Sequence, residues 1–121
     1  MSNRILCTED DLDTREMLLV LLENSGYDVV CANDAQQAYS LITTEQFDLL
    51  LVDNWMPGGS GLELVRAVRS AGQSTPILFY SGAAAAADKQ EALDAGAQGY
   101  LTKPIGIADL VSEVERLIGG K

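Results

Sequence analysis

The side chains that could act together in this sequence are the acidic run Glu9-Asp10-Asp11, the isolated Asp53, Ser81 and Lys103. Each stands where an apolar segment stops: after Ile5-Leu6-Cys7, at the end of Leu49-Leu50-Leu51-Val52, after Ile77-Leu78-Phe79-Tyr80 and after Gly99-Tyr100-Leu101-Thr102. Carboxylates crowded at one place repel, and one or more takes up a proton unless a cation neutralises them. The donors are hard oxygens, with no histidine in the chain and no paired-cysteine motif, which favours Mg²⁺ or Mn²⁺ and argues against zinc. Mg²⁺ usually keeps several waters and takes one or two carboxylates together with phosphate oxygens, so a phosphoryl group is implied. Its charge would be spread between the metal and the Lys103 ammonium. Asp53 is then the nucleophile, a carboxylate attacking phosphorus to make an acyl phosphate, and the Ser81 hydroxyl donates to a phosphoryl oxygen.

Those residues meet only if the fold brings them to one edge. Residues 4–8, 28–31, 48–52, 76–80 and 99–102 are short, apolar and bounded by turn residues or charges, and predict five strands. Helical patterns lie between and after them. Residues 14–25 carry Leu18, Leu21 and Leu22, residues 35–44 carry Ala38, Leu41 and Ile42, and residues 61–71 carry Leu62, Val65 and Val68. Gly26 and Gly72 follow two of these helices. The last helix is the clearest: Ile107, Leu110, Val111, Val114, Leu117 and Ile118 recur at helical spacing, and Gly119 is placed to end it. Residues 84–95 are mostly alanine and polar, with good propensity but little apolar surface, so this helix is expected to dock most loosely. Strict alternation argues for an α/β, doubly wound parallel sheet with right-handed crossovers. In such a sheet the strand ends gather at one edge, and all four groups meet there.

Length and composition bound the partners. A chain of 121 residues can bury the core of one domain, spanning 1–121. Its start lacks the pattern of a signal peptide and nothing approaches a membrane span, so a cytoplasmic protein is expected. A net charge of −10 repels nucleic acid and anionic membrane surfaces, leaving a protein surface or a cation as the better expectation. Cys7 and Cys31 fall in predicted strands and read as two reduced core cysteines, with a disulfide as the alternative.

Taken singly, each candidate has a plainer role. Asp53 would be a turn or capping residue, Asp11 or Asp13 a helix cap, Ser81 a loop hydroxyl, Lys103 a solvated charge and Tyr100 a half-buried strand aromatic. Their joint placement after the first, third, fourth and fifth strands is what favours a phosphorylatable site. Gly58-Gly59-Ser60-Gly61 lacks the lysine spacing of a phosphate-cradling loop and reads as a turn with Ser60 capping the next helix.

At this point the chain resembles a receiver domain of the bacterial two-component response regulators, over essentially its whole length. The segments that carry the resemblance are Ile5-Leu6-Cys7-Thr8-Glu9-Asp10-Asp11, Asp48-Leu49-Leu50-Leu51-Val52-Asp53 through Met56-Pro57-Gly58, and Ser60-Gly61-Leu62-Glu63. They continue with Pro76-Ile77-Leu78-Phe79-Tyr80-Ser81-Gly82-Ala83 and Gly99-Tyr100-Leu101-Thr102-Lys103-Pro104. The resemblance implies a flavodoxin-like sheet of order 2-1-3-4-5 with five helices, an order for which receivers are a standing example. It implies Asp53 as phosphoacceptor, Asp10 and Asp53 as Mg²⁺ ligands, the backbone carbonyl of Trp55 as a third, and Glu9 acting mainly through metal-bound water. Ser81 takes the place of the Ser/Thr switch residue, Tyr100 that of the aromatic that changes rotamer, and Lys103 that of the phosphate-binding lysine, often with a cis bond to Pro104. The implied donor is a histidine kinase or phosphotransfer protein, and the implied output is a downstream target, a fused output domain or a phosphorylation-dependent homodimer. Those contacts would use the face of the fourth helix, fifth strand and fifth helix.

Three positions depart from the commonest pattern. Glu9 replaces an aspartate and reaches further toward a metal-bound water. Trp55 is bulky at a place that influences how water reaches the acyl phosphate, and is expected either to shield it or merely to pack on the loop. Ala83 cannot position that water through its side chain. The Ala83 to Ala87 run reads as a stable helix start or as a weakly docked segment. Two other functions compete with the receiver. A phosphatase resembling the haloacid dehalogenase group would place a second aspartate where this chain has Trp55, and would add a cap domain. A phosphorylation-independent interaction domain would form no Asp53 adduct. With the last helix ending at Gly119-Gly120-Lys121, either a stand-alone receiver or one excised from a longer regulator or hybrid kinase is expected.

Overall fold

Leu49, Leu50, Leu51 and Val52 are apolar at every position because both faces of their strand are covered. The computed structural model describes residues 3–9, 11–53, 55–56, 59–82, 86–103 and 106–119. Along the chain run β1 (Arg4–Thr8), α1 (Leu12–Asn24), β2 (Asp28–Ala32), α2 (Ala35–Thr44), β3 (Leu49–Val52), α3 (Gly61–Ser70), β4 (Ile77–Ser81), α4 (Ala86–Ala95), β5 (Gly99–Thr102) and α5 (Ile107–Gly119). The five strands form one parallel sheet in the order β2-β1-β3-β4-β5, as the resemblance implied.

Successive side chains along each strand go to opposite cores. Leu6, Leu50, Val52, Ile77 and Phe79 pack with Ala38 and Ile42 of α2, Leu64, Val65 and Val68 of α3 and Ala92 of α4. Ile5, Cys7, Leu49, Leu51, Leu78 and Tyr80 pack with Leu18 and Leu22 of α1 and Leu110 and Val114 of α5. Helices therefore cover both faces. Ala92 is the only buried residue of α4, consistent with the weak apolar face expected for it. Cys7 is buried in the core, whereas Cys31 is only partly buried against it.

The boundaries shift where local chemistry decides them. α1 starts at Leu12 rather than Thr14, because Asp11 caps it and accepts from the Thr14 N–H at 2.9 Å. β4 starts at Ile77, since Pro76 has no N–H, although the Pro76 carbonyl still accepts from the Leu50 N–H at 2.9 Å. At its other end β4 runs one residue further than expected and includes Ser81, whose register partner is Thr102. A two-residue ribbon not foreseen from the sequence pairs Trp55–Met56 antiparallel with Gly59–Ser60. Ser60 then caps α3 in a capping box with Glu63, the Glu63 N–H donating to Ser60 Oγ at 3.1 Å and the Ser60 N–H to Glu63 Oε1 at 2.9 Å.

Gly26 and Gly72 take positive φ after their helices, and Gly96 does so after α4 with φ of +121°. At Gly96 a Cβ would stand 2.8 Å from Cγ of Arg69, whose Nε and Nη2 bind the Gly96 carbonyl at 3.1 and 2.8 Å. Gly96→Ala therefore combines backbone strain with displacement of that arginine. We expect a loss of about 1–3 kcal/mol, read as a lowered urea midpoint at unchanged m-value.

Candidate functional site

The strand ends are locked to each other before any charged side chain is considered. The Asp53 N–H donates to the Thr8 carbonyl at 3.2 Å, and the buried Thr8 hydroxyl donates to the Leu51 carbonyl at 3.2 Å. On the other side of the site the Lys103 N–H donates to the Ser81 carbonyl at 2.8 Å, extending the β4–β5 ladder past its last paired residues. Four chain segments thus end at one edge of the sheet.

Lys103 joins them. Its Nζ donates to Glu9 Oε1 at 2.7 Å and to Asp53 Oδ2 at 3.3 Å, and lies 5.2 Å from the centre of the Tyr80 ring. The carboxylates it holds are almost withdrawn from water, Glu9 being 2% exposed and Asp53 8%, while Ser81 is 0% exposed. Burying a charge is costly unless it is paired, and the ammonium supplies that pairing. Burial nonetheless pushes the Glu9 carboxyl above its ordinary range, against the downward pull of its Lys103 hydrogen bond and with a further upward push from Asp53. Burial also works against the Lys103 ammonium, but the hydrogen bond to Glu9 and the charges of Asp53 and Glu9 outweigh it and raise that group.

The sign of the Glu9 shift bears on a metal. Burial is the main cause of that rise, and two nearly buried carboxylates share one ammonium, so added positive charge would favour their ionised forms. The donors are carboxylate oxygens, which suit Mg²⁺ or Mn²⁺. Among the described residues no group of three His, Cys, Asp or Glu side chains converges. Asp10 lies outside the described residues, as do Ala83 and Pro104. Trp55 is described only as backbone, in the ribbon beyond Asp53. The residues present are compatible with a hard divalent ion beside Asp53.

The acidic run divides by burial. Glu9 turns in to Lys103, whereas Asp11 is exposed and occupied with Thr14, accepting from its N–H at 2.9 Å and its hydroxyl at 2.6 Å. Those hydrogen bonds hold Asp11 below the usual carboxylate range. Asp11 is a cap, and the Asp11 N–H donates to Glu9 Oε2 at 3.2 Å.

Ser81 and Tyr100 are neighbours across β4 and β5. The Tyr100 ring stacks on Phe79, its register partner, with centroids 5.6 Å apart and planes at 15°. Burial raises its phenol, and a hydrogen bond with the Ser81 side chain acts in the opposite direction. Two contributors were not singled out from sequence. Thr8 is a hydroxyl closing an apolar run, a weak signal, and Tyr80 under the ammonium is legible only once β4 and β5 are aligned.

Comparison with known proteins agrees with this arrangement. The family description "response regulator receiver domain" matches residues 5–115. The chain is 37% identical over 118 residues to the response regulator MprA of Mycobacterium bovis, covering 98% of this chain and 51% of that protein. It is 37% identical over 111 residues to the transcriptional regulatory protein DltR of Streptococcus agalactiae, covering 92% and 50%. The chain thus spans about half the length of the curated relatives it matches. Among solved structures, the receiver domain of the Francisella response regulator 1452 superposes with a TM-score of 0.94 at 29% identity, covering 98% of both chains. The Vibrio cholerae chemotaxis protein CheY4 superposes with a TM-score of 0.89 at 32% identity, covering 97% of this chain and 99% of that one. With its sheet order, its carboxylate–lysine edge and these likenesses, the chain belongs to the response regulator receiver domain family of two-component signalling proteins.

Proposed function

We propose that residues 1–121 act as one phosphoacceptor unit in which Asp53 takes a phosphoryl group from the phosphohistidine of a histidine kinase or phosphotransfer protein. The observation that carries this reading is the Lys103 ammonium held at once by Asp53 and Glu9. A carboxylate oxygen of Asp53 forms the new P–O bond as the P–N bond to the donor imidazole breaks, and the electron pair leaves with that nitrogen. Lys103 is placed to follow the charge onto the equatorial phosphoryl oxygens, and Ser81 to donate to one of them. Asp10, Asp53 and the Trp55 carbonyl would hold Mg²⁺, or Mn²⁺, with Glu9 reaching it through water. When bound, the ion supplies charge neutralisation for the phosphoryl group. On this reading the chain is a phosphoacceptor that catalyses its own aspartyl phosphorylation and dephosphorylation.

Incubation of the chain with acetyl phosphate and Mg²⁺, followed by intact mass and peptide mapping, tests the assignment. One phosphoryl group per chain on the peptide containing Asp53 is expected. Continuous release of phosphate without an accumulating adduct would indicate an Asp-nucleophile phosphatase instead, and no adduct would indicate a phosphorylation-independent interaction domain.

The signal would pass through Ser81 and Tyr100. Drawing the Ser81 hydroxyl inward to a phosphoryl oxygen vacates space into which the Tyr100 ring can turn. The surface of α4, β5 and α5 changes as a result, and serves a downstream target, a fused output domain or a homodimer. Hydrogen exchange with and without beryllofluoride should change over α4 and β5; identical protection in the two states would sink this coupling.

Trp55 follows Asp53 by two residues, and we assign it to shielding the acyl phosphate from water. Trp55→Ala should then shorten the lifetime of the phosphorylated state by about tenfold, and an unchanged decay rate would leave Trp55 a packing residue. Among the described residues no helix is long and apolar enough to cross a membrane. With the acidic net charge, a cytoplasmic location away from membranes and nucleic acid is the proposed setting.

A further inference from the structure

The phosphoacceptor chemistry uses neither cysteine, yet the fold places the two side by side. Cys7 of β1 and Cys31 of β2 are register partners in adjacent parallel strands. Both side chains belong to the core face covered by α1 and α5, Cys7 within the apolar cluster and Cys31 packed against it. Neighbouring strands lie about 4.7–4.9 Å apart, inside the roughly 4.4–6.8 Å between Cα atoms that a disulfide spans. The two thiols are close enough to influence each other's ionisation, Cys7 being raised and Cys31 lowered by their mutual contact.

The two sulfurs differ in access. Cys7 is buried, whereas Cys31 is partly exposed, so a small oxidant from solvent meets Cys31 first with Cys7 directly behind it. Arg15 of α1, held through Nη1 to Asn33 Oδ1 at 2.7 Å just beyond β2, adds positive charge nearby. Interaction with Cys7, helped by the charge of Arg15 and opposed by burial, lowers the Cys31 thiol to about 7. A thiol in that range has a substantial thiolate fraction at neutral pH.

We infer that Cys7 and Cys31 form a peroxide-sensitive dithiol site, with Cys31 as the attacking sulfur and Cys7 as the resolving one. The Cys31 thiolate attacks one oxygen of hydrogen peroxide, the O–O bond breaks and hydroxide leaves, taking a proton to become water; Cys31 is now a sulfenic acid. The Cys7 sulfur attacks the Cys31 sulfur, the S–O bond breaks, and the hydroxyl leaves with the Cys7 proton as a second water. Two electrons have passed from the sulfur pair to peroxide, and a reducible bond joins β1 to β2.

The test treats the intact chain with stoichiometric hydrogen peroxide, quenches with an alkylating agent and measures intact mass. A monomer lighter by two hydrogens, closed to alkylation and reopened by dithiothreitol, is expected. In Cys7→Ser, dimedone should trap sulfenic acid at Cys31, and in Cys31→Ser the peroxide reaction should slow by roughly tenfold or more. Oxygen addition at Cys31 without loss of two hydrogens in the unaltered chain would overturn the inference. So would disulfides formed only between chains, full alkylation after peroxide, or an unchanged rate in Cys31→Ser.

Discussion

Asp53→Asn should form no detectable phosphoryl adduct with acetyl phosphate and Mg²⁺, a loss on the order of 10⁴-fold or more, because an amide does not attack phosphorus as a carboxylate does. The same variant should fold with little change in stability, since the charge interaction Lys103 loses with Asp53 is set against relief of the buried Glu9 carboxyl. Asn keeps the shape of the side chain, and Lys103 retains its 2.7 Å partner Glu9. The Asp53 charge is one of the influences raising the Glu9 carboxyl, so its removal lets Glu9 ionise more readily. A carboxyl raised on folding costs stability at pH values above its ordinary range, so relieving that shift is neutral or favourable at pH 7. We expect a stability change within about 1 kcal/mol by urea unfolding. Loss of the adduct with stability retained assigns the effect to chemistry, and an adduct that persists in Asp53→Asn would place the acceptor elsewhere.

The two properties separate because the site is built from strand ends whose positions do not depend on their charges. The hydrogen bonds of Thr8 with Asp53 and Leu51, and of Lys103 with Ser81, are made by backbone or by a neutral hydroxyl. This also explains what was legible beforehand. A short unbroken apolar run such as Leu49–Val52, bounded by Asp48 and Asp53, reads as a two-sided strand, and a parallel sheet delivers the residues after such strands to one edge. Which member of the Glu9-Asp10-Asp11 run enters the site is a different kind of question. Glu9 and Asp11 are both acids beside a helix start, and only burial against Lys103 separates the pocket residue from the cap. The apolar run stops at Tyr80, which puts Ser81 just past its strand, whereas pairing with β5 continues one residue more. The Trp55–Met56 ribbon has two residues a side, too few for any periodicity to register. The pairing of Cys7 with Cys31 depends on strand order, which residue patterns alone do not fix.

Lys103→Met tests the charge balance from the other side and should damage both stability and reactivity. Adduct formation on Asp53 should slow by about 10²–10³-fold, the usual consequence of losing one fixed charge partner of a transferring group. Removing one member of a fully buried ion pair costs about 3–5 kcal/mol, but the Lys103 side chain is 23% exposed and water can enter in its place. A loss of about 1–3 kcal/mol at pH 7 is the discounted expectation. Its pH dependence has a definite sign. Without the ammonium, burial raises the Glu9 carboxyl further, and the resulting penalty is absent below the unfolded-state value near 4.5, grows as pH climbs to the folded value and persists above it. The raised Lys103 group stabilises the unaltered chain fully below its unfolded value of 10.5, and that contribution is lost as pH rises through the higher folded value. The gap between the two proteins should therefore be widest from neutral to mildly alkaline pH and close toward both ends. Mg²⁺ should narrow the gap, since a cation placed beside Glu9 and Asp53 does more for the protein that has lost its own. A gap independent of pH would show that the charges of Glu9 and Lys103 are not the source of the loss.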